Sequence, residues 1–146
     1  MATAQIYNNA LLEMVKGTLN FPTTTSPTFK VMLIANSPSY TFSKSHSTVA
    51  DVKGAGATEI SGTGYTAGGA FIPSIATALN ANAVEVSFGD VIWAASTLTA
   101  RGAIVYSPTG SDSTAKVIAY IDFGTTVSSN NSALTVDFQT PLKLQN

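Results

Sequence analysis

Between Leu98 and Phe123 the chain alternates with a period of two on both sides of a turn-rich break. Leu98, Ala100, Gly102, Ile104 and Tyr106 alternate with Thr99, Arg101, Ala103 and Val105. Val117, Ala119, Ile121 and Phe123 alternate with Ile118, Tyr120 and Asp122. Such a period marks a strand with two different faces. The break, Ser107 to Thr114, supplies Pro108, Gly110 and Asp112, which fix φ or tolerate a positive one. The pattern predicts an antiparallel hairpin with a long loop, and places Val117, Ala119, Ile121 and Phe123 on one inward face. Val84, Val86 and Phe88 alternate upstream, with the small residues Ala94 to Ser96 expected to break the run after Trp93.

The other elements follow from the same reading. Ile6, Ala10, Leu11, Met14, Val15 and Leu19 return at helical steps and form one stripe, so a helix is expected over about residues 4–19. Thr3 is its candidate N-cap. This helix either packs across an open sheet end or docks on a neighbouring subunit. Thr28 to Ala35 reads as a strand with both faces covered, because Met32 and Ile34 make its second face apolar. His46 to Val52 suggests a short helix capped by Ser45. Phe71 to Leu79 reads as one strand, confined to an edge or a bulge by Pro73. Asn80 to Asn82 is a turn, Gly124 to Ser132 a loop, Leu134 to Phe138 a last strand, and Pro141 to Leu144 the lead into a polar tail. The predicted fold is mainly β. It is an antiparallel, jelly-roll-like β-sandwich with one N-terminal amphipathic helix, in a single domain over residues 1–146.

Composition narrows the function classes. Charged residues are 10% of the chain, against roughly 25% in typical soluble domains. Ser and Thr fill the gap. Either this is a β protein with many Thr-bearing strands, or a subunit that buries much of its surface, since interface cores are poor in charge. The net charge of −1 offers no basic patch for nucleic acid and no polybasic segment for a membrane surface. The N-terminal stretch lacks the charged and continuous apolar regions of a signal peptide. Cysteine is absent, which excludes disulfides and thiolate zinc sites and fits synthesis in a reducing cytosol.

No chemistry-bearing constellation emerges, and neither a cofactor nor a metal is expected. His46, the one histidine, sits among serines. The eight acidic residues show no metal-loop spacing. Gly54 to Gly69 is glycine-rich but lacks the Gly-Lys-Ser/Thr of a phosphate loop; it reads as a loop with tight turns and close backbone approach. Arg101, the one arginine, is either an outward side chain on a half-buried sheet or a fork for a partner's carboxylate. Tyr40, Tyr65 and Trp93 are the candidate stacking or contact residues.

Four runs together look familiar: Glu59 to Gly69, Asp90 to Trp93, Leu98 to Tyr106, and Ile118-Ala119-Tyr120-Ile121-Asp122-Phe123-Gly124. They resemble small structural proteins of tailed bacteriophages, and the resemblance covers most of the chain. It implies a non-enzymatic virion component, a capsid cement or decoration protein that binds the assembled head. The implied partners are the major capsid protein and further copies of this chain. The implied location is the capsid surface, after synthesis in the host cytoplasm. A tail or head-fibre component is the alternative within that class. A small carbohydrate-binding β-sandwich, using Tyr40, Tyr65 or Trp93 as a platform, is the alternative outside it.

Overall fold

A computed structural model of the chain describes residues 3–21, 28–36, 40–138 and 141–145. The architecture is mainly β with antiparallel sheets, and the predicted hairpin is its centre. β6 (Val91–Ser107) and β7 (Lys116–Val136) pair from Val91 with Val136 to Ser107 with Lys116. β2 (Lys30–Ile34) pairs with β6, and β3 (Ala70–Phe71) with β2. β1 (Thr3–Ile6) pairs with the other side of β7, which completes a five-stranded sheet in the order β1-β7-β6-β2-β3. A second sheet holds β4 (Ile75–Asn80), β5 (Ala83–Phe88) and β8 (Leu142–Gln145), in that order.

Both faces of the larger sheet are covered. On one, Val31, Leu33, Ala103, Val105, Ala119 and Ile121 join Ile75, Val86, Phe88 and Leu142 of the smaller sheet in a single apolar cluster. On the other, Met32, Ile34, Ile104, Tyr106, Val117 and Tyr120 pack with Tyr7 and with Val49 and Val52 of α2 (Val49–Gly54). The unbroken apolar run of β2 thus sends alternate residues to opposite cores, as its composition predicts. The inward face expected on β7 is only partly right. Val105 pairs with Ala119 but Tyr106 pairs with Val117, so Ile118 is an extra residue. That bulge reverses the alternation and puts Val117 in the opposite core from Ala119 and Ile121.

The expected break at Ala94–Ser96 is not a break, and that at Gly124–Ser132 is one only in part: residues 123–126 oppose Arg101 alone, and from Val127 β7 is paired with β6 again. β6 and β7 run through both and bulge there. Trp93 pairs with Leu134 and Ser96 with Ser132, so Ala94 and Ala95 oppose Ala133 alone. Leu98 pairs with Ser129, so Asn130 and Asn131 oppose Thr97 alone. Ala95 and Asn131 take positive φ, +47° and +46°. A bulge disrupts the hydrogen-bond ladder locally, and here a buried serine takes up one amide. Ser129 Oγ accepts from Leu98 N–H at 3.1 Å and bonds Ser96 Oγ at 2.8 Å. Small polar residues that resemble a turn in sequence are bulge fillers in the fold.

Helix boundaries also shift. α1 spans Asn8–Val15 only, and Thr3 lies in β1, not at an N-cap. Tyr7 occupies the cap position without a side-chain cap bond. Its ring is buried in the second core, and its hydroxyl bonds Tyr40 at 3.0 Å. The extended pairing of Ile6 with Ala119 leads the chain to that burial before a helix can begin. α2 is capped by Thr48, not Ser45, through a capping box with Asp51. Pro73 interrupts the expected strand over Phe71 to Leu79, and the chain passes there from the larger sheet to the smaller. The expected tail is β8, with Leu142 opposite Val86 and Leu144 opposite Val84.

The capping box gives a pH test. Amide hydrogen bonds from Ser47 and Thr48 hold the Asp51 carboxyl below its usual range. Its stabilising contribution is therefore present above the unfolded-state pKa and lost as pH falls through the folded-state value. Asp51→Asn is expected to cost about 0.5–1 kcal/mol at neutral pH, the side chain being exposed. Urea melts should show that difference at pH 7 and its disappearance in acid; an undiminished gap in acid would refute the charge-based cap.

Candidate functional site

The glycine-rich segment is held by a closed polar network. One Glu59 carboxylate oxygen accepts from the Tyr65 hydroxyl at 2.9 Å and from the Gly68 amide. The other pairs with Lys53 at 3.4 Å, which also reaches Asp112 in the hairpin loop at 2.8 Å. Tyr65 Oη accepts from Leu33 N–H at 3.1 Å, and the Tyr106 hydroxyl donates to Gly68 O at 2.6 Å. Burial pushes the Tyr65 phenol well above its usual range, and pushes Tyr106 up to about 12, with Glu59 adding to both. Both phenols therefore stay protonated donors at neutral pH. This network fastens the segment to β2 and to the central hairpin, in keeping with close backbone approach.

The four candidate contact residues fall into two pairs. Trp93 and Tyr65 meet with ring centroids 5.9 Å apart, but Trp93 is only 5% exposed. Their aromatic surface faces the core and makes no outer platform. Tyr40 and Arg101 share a small pocket of about 110 Å³ with Ile34, Asn36, Tyr120 and Asp122. The Tyr40 hydroxyl bonds Tyr7 and, at 2.8 Å, His46 Nδ1. Its ring stands edge-on to Tyr120 at 5.1 Å. Arg101 pairs with Asp122 of the neighbouring strand, and Asp122 also accepts from Gly124 N–H at 2.8 Å. The guanidinium thus has an anion from its own chain. Among the described residues, no group of three or more His, Cys, Asp or Glu could hold a metal ion, and no helix is long and apolar enough to cross a membrane.

Apolar groups at the surface are the more unusual feature. α1 buries Ala10 and packs Met14 on the core, yet Leu11, Leu12 and Val15 form a second stripe outside, with Val15 87% exposed. In the smaller sheet Leu79 faces Val84, and Val84 faces Leu144. By alternation this row shares the side of Val86 and Phe88, which lie in the core. Leu79 is nevertheless 84% exposed, so the end of the sheet overhangs the core. A cleft of about 390 Å³ runs beside β7, lined by Ile121, Phe123, Val127, Ser128 and residues 133–137. Of these surfaces the sequence pointed only to α1, read as a helix with one apolar stripe that either packs on the sheet or docks on a neighbouring subunit; Leu11 and Val15, expected on that stripe, lie outside. The signal was present in α1, where apolar residues at 10, 11, 12, 14 and 15 cover more of the circumference than one buried stripe needs. Comparison with family models, curated proteins and solved structures finds no match to this chain.

Proposed function

We propose that this chain is a non-enzymatic structural protein of a tailed-bacteriophage virion, a cement or decoration protein that binds and stabilises the assembled head. On this reading its two sheets form a jelly-roll-like β-sandwich over their shared core, and its partners are the major capsid protein and further copies of itself at the capsid surface. The supporting observation is the set of separate exposed apolar patches on a chain with few charges: the outer stripe of α1, and Leu79 and Val84 with half-buried Leu144 beside them. Fully burying one such side chain is worth roughly 1.5–3 kcal/mol. A patch of three gains at most about 4.5–9 kcal/mol, and association costs about 4–15 kcal/mol, so a single patch leaves little or no surplus. Several patches engaged together on a repeating shell gain by effective concentration. A tail or fibre component could use the same patches. The carbohydrate reading loses Trp93, which is buried, and is left with Tyr40 and Tyr65, both half-buried.

The test adds purified protein to capsids that lack it, and follows occupancy and thermal release of DNA. Binding should be saturable and persist at high salt, because little of it rests on screened ion pairs. The temperature of DNA release should rise, because the protein binds the assembled state. A protein found only on tails, and indifferent to capsids, would overturn the cement role.

A further inference from the structure

Among the described residues, the outer edge of β7 has no strand partner where the cleft lies. β1 covers β7 only from Ala119 to Asp122. From Val127 to Val136, β7 pairs with β6 on one side, and no strand of the described residues pairs on the other. The matching edge of β6 is crossed by the glycine-rich segment, where Thr97 N–H donates to Thr63 O at 3.0 Å. Strand edges are usually guarded by Lys, Pro or inward charges. From Phe123 to Val136 there is no charged residue and no proline. The guard is the bulge at Asn130 and Asn131; beyond it Ser132–Val136 carries no extra residue of its own, the bulge at Ala94 and Ala95 lying on the facing strand β6.

The cleft's lining fixes its direction. A pocket on a sheet face is lined by alternate residues. Residues 133–137 line this one consecutively, so it follows the backbone edge. Open strand edge and apolar cleft together are the elements of strand addition, where main-chain bonds give affinity and side-chain pockets give specificity. We propose that this edge takes an extended, uncharged segment of a partner protein, added as a strand beside Ser132–Val136 with alternate apolar side chains entering the cleft. A charged strand would lose its hydration: an acidic one meets no cation in the lining, and a basic one meets only Asp137, which already has an interaction of its own. A second copy of the same edge fits poorly, because Leu134 and Val136 are buried in their own core and Ala133 and Thr135 have little to insert. The inference deepens the capsid reading and rests on it for the partner's identity, a shell subunit with an extended segment.

The test uses no capsid, so either idea can fail alone. The probe is a capped heptapeptide of alternating valine and threonine, with a control in which glutamate replaces threonine. NMR of labelled protein should show saturable shifts and slowed amide exchange confined to Ser132–Val136 and the adjoining Phe123 and Val127. Thr135→Lys, and separately Ala133→Lys, should weaken binding about tenfold or more with no change in melting temperature, since both positions are exposed. Three results would overturn the proposal: no response at these amides up to the peptide's solubility limit, equal binding of the glutamate peptide, or concentration-dependent protection of Ser132–Val136 without peptide. The last would make a second copy the occupant.

Discussion

Ile104→Asp should destabilise the fold by about 4–5 kcal/mol or more and lower the melting temperature by about 10–20 °C. Ile104 is fully buried in the central strand β6, between Met32 on β2 and Tyr120 on β7. Its cluster is made of apolar and tyrosine side chains, with Tyr7, Tyr106 and Val117 around it. A carboxylate there would give up its hydration with no cation in that cluster to replace it. Ile104→Val removes one methylene, keeps the chemistry, and should cost only about 0.5–1.5 kcal/mol. The aspartate's folded-state pKa would be raised by burial, so the native state would prefer it neutral. The gap between Ile104→Asp and wild type should therefore be greatest, and level, above that raised value, and narrow as pH falls from it toward the unfolded-state pKa. Thermal melts of the three proteins across pH decide the matter. An Ile104→Asp protein that melts like Ile104→Val at neutral pH would show that this face of β6 is open to water.

The hairpin was legible because each half carries a local period and the loop carries its own turn chemistry. The double burial of β2 was legible because its run is apolar on both parities. What escaped was set by distant partners. The bulge at Ile118 exists only relative to Tyr106 and Val105 on the facing strand, and nothing near Ile118 announces it. Ser129 looks like a loop residue until Leu98 N–H, thirty-one positions away, needs an acceptor. Thr3 to Ile6 has a helical pattern on paper, but its pairing with β7 and the burial of Tyr7 override that weak local preference. The candidate site divides in the same way. Tyr40, Tyr65, Trp93 and Arg101 stood out as residue types that make contacts, and all four do, with their own chain: Tyr40 with Tyr7 and His46, Tyr65 and Trp93 with each other, Arg101 with Asp122. Residue type predicts the capacity for an interaction and not which partner takes it.

Gly69→Ala, set against Gly17→Ala, separates backbone strain from crowding. The two glycines have nearly the same φ, +74° and +75°. Alanine in that left-handed region costs about 1–2 kcal/mol wherever it stands. At Gly17, just beyond α1, an added Cβ meets nothing within 4 Å, so strain is the whole expected cost. At Gly69 the same Cβ would lie 1.8 Å from Val31 O and 2.9 Å from Met32 Cα. Those are backbone atoms of a buried strand, which cannot turn aside as a side chain would. Relief requires the glycine-rich segment to lift from β2. That would strain the Gly69 N–H bond to Thr66 O, the pairing of Ala70 with Val31, and the hold of Tyr106 and Glu59 on Gly68. Crowding of this kind adds about 1–3 kcal/mol, so Gly69→Ala should lose roughly 2–5 kcal/mol in total, against roughly 1–2 for Gly17→Ala. Denaturant melts give both values, and near-ultraviolet circular dichroism should register the loosened Tyr65 and Trp93 only in Gly69→Ala. Equal losses in the two variants would mean that the segment does not press on β2, and that the Glu59 network fastens a looser loop than the one described.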